Sequence, residues 1–223
     1  MLKLGDKTIY KMMLGDKFIK RAYLGDKLVF KGEPLFLDYV ETDGDSYIDT
    51  EFNPNPLTTK IEIDFVLLDD TTVTQAVFGC RGTTQADGKS CNIFYNVNSN
   101  KSIRIDWSGS INAVPVNTNE LISMTCLGNA ITVNGTTYTG ITAKDDTYLS
   151  KPILLGNMYN ASNVFGTGSK IQIHNCKIYD NGVLVRNLRP CLESGGRVAM
   201  YDEVNKKYHY NAGTGTLTYT EEV

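Results

Sequence analysis

Few residue clusters in this chain are of a type and spacing that could do chemistry. In Glu62-Ile63-Asp64-Phe65 two carboxylates stand two positions apart, which on a strand puts both on one face. Retaining glycoside hydrolysis would use one as nucleophile, but it needs a second carboxyl group about 5 Å away to act as acid and then base. Val66, Leu67 and Leu68 follow, and Asp69 and Asp70 come too late on the same strand to take that role. Glu62 and Asp64 therefore read as the polar face of a strand whose other face is Ile61, Ile63 and Phe65. His174 and His209, the only histidines, fall in strand-like segments with no nucleophile elbow nearby, and Gly166-Thr167-Gly168-Ser169-Lys170 lacks phosphate-loop spacing. No catalytic residue is assigned, and the expectation is a protein that is not an enzyme.

Two clusters suit binding. Asp43 and Asp45, with Asp145-Asp146, offer the hard oxygens that Ca²⁺ takes, although neither fits an EF-hand loop; solvated turn acids are the other reading, and no other cofactor is expected. A sugar is held by an aromatic face for its C–H surface and by planar polar groups for its hydroxyls. Trp107, the only tryptophan, with Arg104, Asp106, Tyr95 and Tyr159, supplies those types. Strand alternation puts Arg104 and Asp106 on one face and Ile103, Ile105 and Trp107 on the other, so Trp107 reads either as a glycan platform or as core.

The elements that must position these groups are strands. The 223 residues include 20 Gly and 13 Tyr, with many Thr and Asn and no long helical-period stretch, and the length suits one large β domain with a small appendage. Five cysteines, Cys80, Cys91, Cys126, Cys176 and Cys191, form no CxxC or Cys/His metal pattern and read as buried small apolar residues. The chain starts without a signal-peptide-like apolar run and nowhere has 18 consecutive apolar residues, so no membrane span and no Sec export are expected.

Residues 1–32 are organised differently. Leu4-Gly5-Asp6-Lys7, Leu14-Gly15-Asp16-Lys17 and Leu24-Gly25-Asp26-Lys27 recur every ten residues. Gly-Asp suits a two-residue hairpin loop, which predicts an antiparallel meander. Even positions collect Tyr10, Met12, Leu14, Phe18, Ala22, Leu24, Leu28 and Phe30, and odd ones Lys7, Lys11, Lys17, Arg21, Lys27 and Lys31 around Ile9, Ile19 and Val29, which predicts an apolar face and a basic face. So small a sheet cannot stand alone, and its apolar face must pack on the main domain, on further copies or on another protein. This segment carries a net charge of +5 and the remainder −8, an acidic body that argues against nucleic-acid binding.

Lys31-Gly32-Glu33-Pro34 marks the junction. From residue 33 to 223 short alternating segments follow at regular intervals, with Asn134-Gly135 and Asn181-Gly182 as hairpin turns, the pattern of a two-sheet sandwich. The segment from Lys177 through Asn181-Gly182 to Arg186, then Arg189-Pro190-Cys191, Met200-Tyr201-Asp202 and Asn211-Ala212-Gly213-Thr214-Gly215, resembles the C-terminal half of laminin-G-like, concanavalin A-like modules in bacteriophage tail or fibre proteins. Tyr39-Val40-Glu41 and Ser46 to Thr50 resemble the same family's opening, and the decapeptides resemble arrays that precede such modules. The resemblance implies an all-β jelly-roll sandwich in a virion appendage, with carbohydrate or host-surface recognition in some members; together with the apolar face and the charge split of residues 1–32 it leads to the expectation of an N-terminus that docks to other virion proteins and of homo-oligomers.

Overall fold

The computed structural model describes residues 3–4, 7–8, 13–14, 17–18, 21–31, 34–68, 73–82, 89–95, 101–107, 109–128, 130–139, 147–193 and 196–220. Among these residues every regular element is a strand, and none is a helix long and apolar enough to cross a membrane. The larger sheet runs, in spatial order, Thr136–Tyr138, Ala130–Val133, Leu121–Leu127, Thr59–Leu67, Ile171–Asp180, Val183–Leu192, Val198–Asp202 and Lys207–His209. The smaller runs Ser110–Pro115, Ser102–Trp107, Ser90–Tyr95, Gln75–Arg81, Leu154–Leu155 and Ile48–Asp49. Among the described residues the strands pair antiparallel except where Met158–Asn160 lies parallel to Gln75–Arg81, and an isolated bridge from Ala76 to Gly168 is also parallel.

Alternation makes the two layers. In Thr59–Leu67 the odd positions are buried and the even ones half-exposed, so Ile61, Ile63, Phe65 and Leu67 enter the core while Lys60, Glu62 and Asp64 face out. From the smaller sheet, Ile93, Ile103, Ile105 and Trp107 meet them in one buried cluster. Each such aliphatic side chain contributes about 1.5–3 kcal/mol by leaving water. Cys80, Cys91, Cys126 and Cys176 belong to the same cluster, Cys191 is also buried, and none of the five forms a disulfide. Asn134-Gly135 and Asn181-Gly182 both have φ near +48° and +80°, the left-handed pair that a two-residue hairpin loop requires.

The N-terminal repeats differ from expectation in one respect. Leu4, Leu14 and Leu24 are registered with Lys7, Lys17 and Lys27 in three two-stranded ladders, and the residues that join the ladders, 9–12 and 19–20, lie outside the described residues. The apolar-even, basic-odd division fails where Leu24 is registered with Lys27, because a pairing of position i with i+3 reverses parity. Leu28 is registered with Tyr23 and Phe30 with Ala22 across a bulge. Phe18 is registered with Met13, and Tyr10 and Met12 lie outside the described residues. Tyr23 and Leu24 are 56% and 75% exposed.

Candidate functional site

Of the two readings of Trp107, core and glycan platform, the structure shows the core one. Trp107 and Tyr95 are 0% and 1% exposed in the core cluster, and the Trp107 Nε1–H donates to the buried Pro56 carbonyl at 3.0 Å. The reason is the alternation of Ser102–Trp107, which turns Ile103, Ile105 and Trp107 inward together. Arg104 and Asp106, on the other face, bond to each other at 2.9 Å and to Ser110. Tyr159 packs partly buried against the core with the Lys151 ammonium 5.2 Å from its ring. These five residues therefore share no exposed aromatic surface.

Asp43 is a structural staple. Its Oδ1 accepts the Asp45 and Ser46 N–H groups at 3.1 and 2.8 Å, and its Oδ2 accepts the Thr216 N–H at 2.7 Å, tying the opening segment to the chain's last turn. Partial burial pushes its pKa up, but these N–H donors outweigh that and hold it below its ordinary value. Asp45 accepts the Thr214 and Gly215 N–H groups through its backbone carbonyl. Among the described residues no three His, Cys, Asp or Glu side chains gather as a metal site, and Asp145 and Asp146 lie outside them.

What the strands assemble instead is a groove of about 600 Å³ across the solvent-facing side of the larger sheet. Register places Thr132, Thr125, Glu62, Lys177 and Asn187 in one row across five adjacent strands, and Ser123, Asp64 and Asn175 in the next. All of these residues line the groove, with His174, Arg189 and Glu203 among the rest. Between the pairs Asp64–Asn175 and Phe65–Ile173 the register slips, leaving His174 as an extra residue, so that His174 and Asn175 are both half-exposed beside the groove. Bulges turn side chains in this way and are over-represented next to functional sites. His174 packs against the Tyr39 ring, and its Nε2 is buried without a hydrogen-bond partner.

The polar groups of the groove hold one another in place. Asn175 donates to Asp64 Oδ2 at 2.6 Å, Asn187 and Arg189 donate to Glu203 at 2.7 and 3.2 Å, and Glu62 takes the Lys60 ammonium at 2.6 Å and the Tyr179 hydroxyl at 3.1 Å. Burial alone would raise the Glu62 pKa, but the Lys60 and Tyr179 bonds overcome it and hold the carboxyl below its ordinary value. Glu62 and Glu203 each face a cation, which leaves rigid amide and carboxylate planes in a nearly charge-balanced trough. Sequence reasoning found the strands and their polar faces but marked none of Asn175, Lys177, Asn187, Arg189 and Glu203 as a site residue, since they become neighbours only through sheet order.

No family model matches the chain, and no curated protein matches it. Among solved structures, a Bacteroides ovatus ATCC 8483 protein provisionally assigned to carbohydrate binding superposes with a TM-score of 0.56 at 12% identity, over 88% of this chain and 64% of that one. The chain therefore spans less than two thirds of that protein's length. A native heptameric SAP-like pentraxin from Limulus polyphemus gives a TM-score of 0.43 at 8% identity, over 63% of this chain and 76% of that one. The likeness to the first is one of fold, and the chain is an all-β jelly-roll sandwich of two sheets, as expected.

Proposed function

We propose that this chain is a non-enzymatic glycan-recognition protein exposed on a bacteriophage virion, binding through the groove on its larger sheet and docking to other virion proteins through residues 1–32. The observation that carries glycan binding is the set of planar polar groups, Glu62, Asp64, Asn175, Asn187 and Glu203, that adjacent strands bring into one groove. Asn175, Asp64, Asn187 and Glu203 are fixed by mutual hydrogen bonds, so little rotamer freedom is lost when hydroxyls replace water on their remaining lone pairs. The charge balance favours a polyhydroxylated ligand over a strongly ionic one. Catalysis is disfavoured because each carboxylate of the groove is already engaged, Glu62 by Lys60 and Tyr179, Asp64 by Asn175 and Glu203 by Asn187 and Arg189, which leaves no pair arranged as nucleophile and acid. The Bacteroides ovatus neighbour's provisional assignment agrees with this reading.

The virion setting rests on the sequence resemblance, the threefold decapeptide and the +5 against −8 charge division. Exposed Tyr23 and Leu24 suit a docking element. A glycan array probed with the full chain and with Asp64→Ala and Asn175→Ala tests the binding. The wild type is expected to give discrete positives that fall about tenfold or more in both variants, the effect of about 1.4 kcal/mol. A flat array at high protein concentration would end the glycan reading. Light scattering of the full chain and of the chain without residues 1–32 tests docking, with oligomers expected only from the former.

A further inference from the structure

We infer that the groove continues into a second subsite, an aromatic strip of Phe36, Tyr201, Tyr208 and Tyr210, and that the ligand is a polysaccharide chain several sugars long, not a terminal sugar; this rests on the glycan reading of the groove. Arg189 lines the groove and is registered with Tyr201, which in turn is registered with Tyr208. Directly opposed residues share a face, so strip and groove lie on the same side of the sheet. Ring centroids are 6.4 Å apart from Phe36 to Tyr201, 5.0 Å from Tyr201 to Tyr208 and 6.1 Å from Tyr208 to Tyr210. With strands about 4.8 Å apart, Arg189 to Tyr208 alone covers about 10 Å beyond the groove's end.

Core packing does not explain these rings. All four are partly exposed, and none belongs to or packs against either buried hydrophobic cluster. They rest on one another and on two guanidinium groups, Arg189 lying 3.8 Å over Phe36 and Arg197 3.8 Å over Tyr210. The Tyr210 hydroxyl is fixed by donating to Glu193 at 2.8 Å. Aromatic faces in a row take the C–H faces of successive sugar rings, and planar guanidinium edges supply donors to hydroxyls. Arg189 belongs to both regions, since it stacks on Phe36 and bonds Glu203 of the groove, so a chain leaving the groove meets the strip without a gap.

The test is calorimetry with cello-, chito- and xylo-oligosaccharides from disaccharide to octasaccharide, on the full chain. For at least one series, wild-type affinity is expected to rise about tenfold or more with length. Tyr201→Ala and Tyr208→Ala should flatten that rise while leaving disaccharide affinity unchanged, Tyr208→Phe should keep it, and Asn175→Ala should weaken every length. Thermal unfolding of each variant separates lost binding from lost structure. Binding with no dependence on length, or a rise that survives both alanine variants, overturns the strip and leaves the groove standing. No binding of any series overturns both.

Discussion

Replacing Trp107 by phenylalanine separates a core role from a binding role. The indole is fully buried and its Nε1–H satisfies the carbonyl of Pro56, itself buried. Phenylalanine removes that donor and leaves a buried acceptor without its partner, at about 1–3 kcal/mol. It also removes one ring's worth of packed apolar surface, which adds about 1–2 kcal/mol. A loss of about 2–5 kcal/mol follows, and for a domain of this size each kcal/mol shifts Tm by about 2–4 °C. Far-UV circular dichroism through a thermal ramp reads the shift. Glycan affinity, measured well below the variant's Tm, should stay within about twofold of wild type, because no part of the indole reaches the surface. A variant of unchanged Tm that has lost glycan binding would refute the burial argument and restore Trp107 as a platform.

Asp43→Asn should lower Tm by about 2–8 °C, the effect of about 1–2 kcal/mol from weakening one of three carboxylate-held N–H groups. Because the folded pKa of Asp43 lies below its ordinary value of 3.8, its stabilisation is complete above that value and fades as pH falls through the lower folded value. The variant's deficit should therefore shrink below about pH 4. Millimolar calcium should leave both proteins unchanged; a calcium-dependent rise in Tm that the substitution abolishes would reinstate a metal there. Burial pushes the Cys80, Cys91, Cys126 and Cys176 thiols well above their ordinary range, so Ellman's reagent at pH 8 should label none of them until guanidinium unfolds the chain. Labelling within seconds in buffer alone would contradict their burial. Gly79→Ala should cost about 4 kcal/mol or more and yield little soluble protein, since at φ +126° its Cβ would sit 2.1 Å from the Cys91 carbonyl oxygen. Gly25→Ala, at φ +60° in open space, should cost about 1–2 kcal/mol within its own hairpin and leave the sandwich's unfolding transition in place.

Strand positions were legible because alternation in a half-buried strand is a local signal. Ser102–Trp107, Leu121–Leu127 and Ala130–Val133 fall where the apolar and polar residues interchange. Sheet order is not local. Thr125 meets Glu62, and Glu62 meets Lys177, because Leu121–Leu127 and Ile171–Asp180 flank Thr59–Leu67, and nothing in the alternation of one strand names its neighbours. The N-terminal faces went wrong for a related reason, since parity was carried across turns that reverse it. The aromatic strip lay between these cases. Tyr201 and Tyr208 flank a short connection within one hairpin, and their shared register follows from that hairpin alone.

The bulge at His174 was also written in the sequence. Buried positions run Ile171 and Ile173, then Cys176 and Ile178, so the two-residue period slips by one between 173 and 176. An uninterrupted strand would keep position 175 in phase with 171 and 173, on the core side, and a polar side chain there would lose its water with little in return. The extra residue moves the slip into the pairing with Thr59–Leu67, returns Cys176 to the core and leaves both His174 and Asn175 on the polar side. Asn175 then reaches Asp64 at 2.6 Å, the bond that fixes one wall of the groove. A break in alternation inside an otherwise regular strand therefore points to the part of this sheet shaped for something other than packing, and a sequence scan for such slips would have led to this groove before any aromatic residue did.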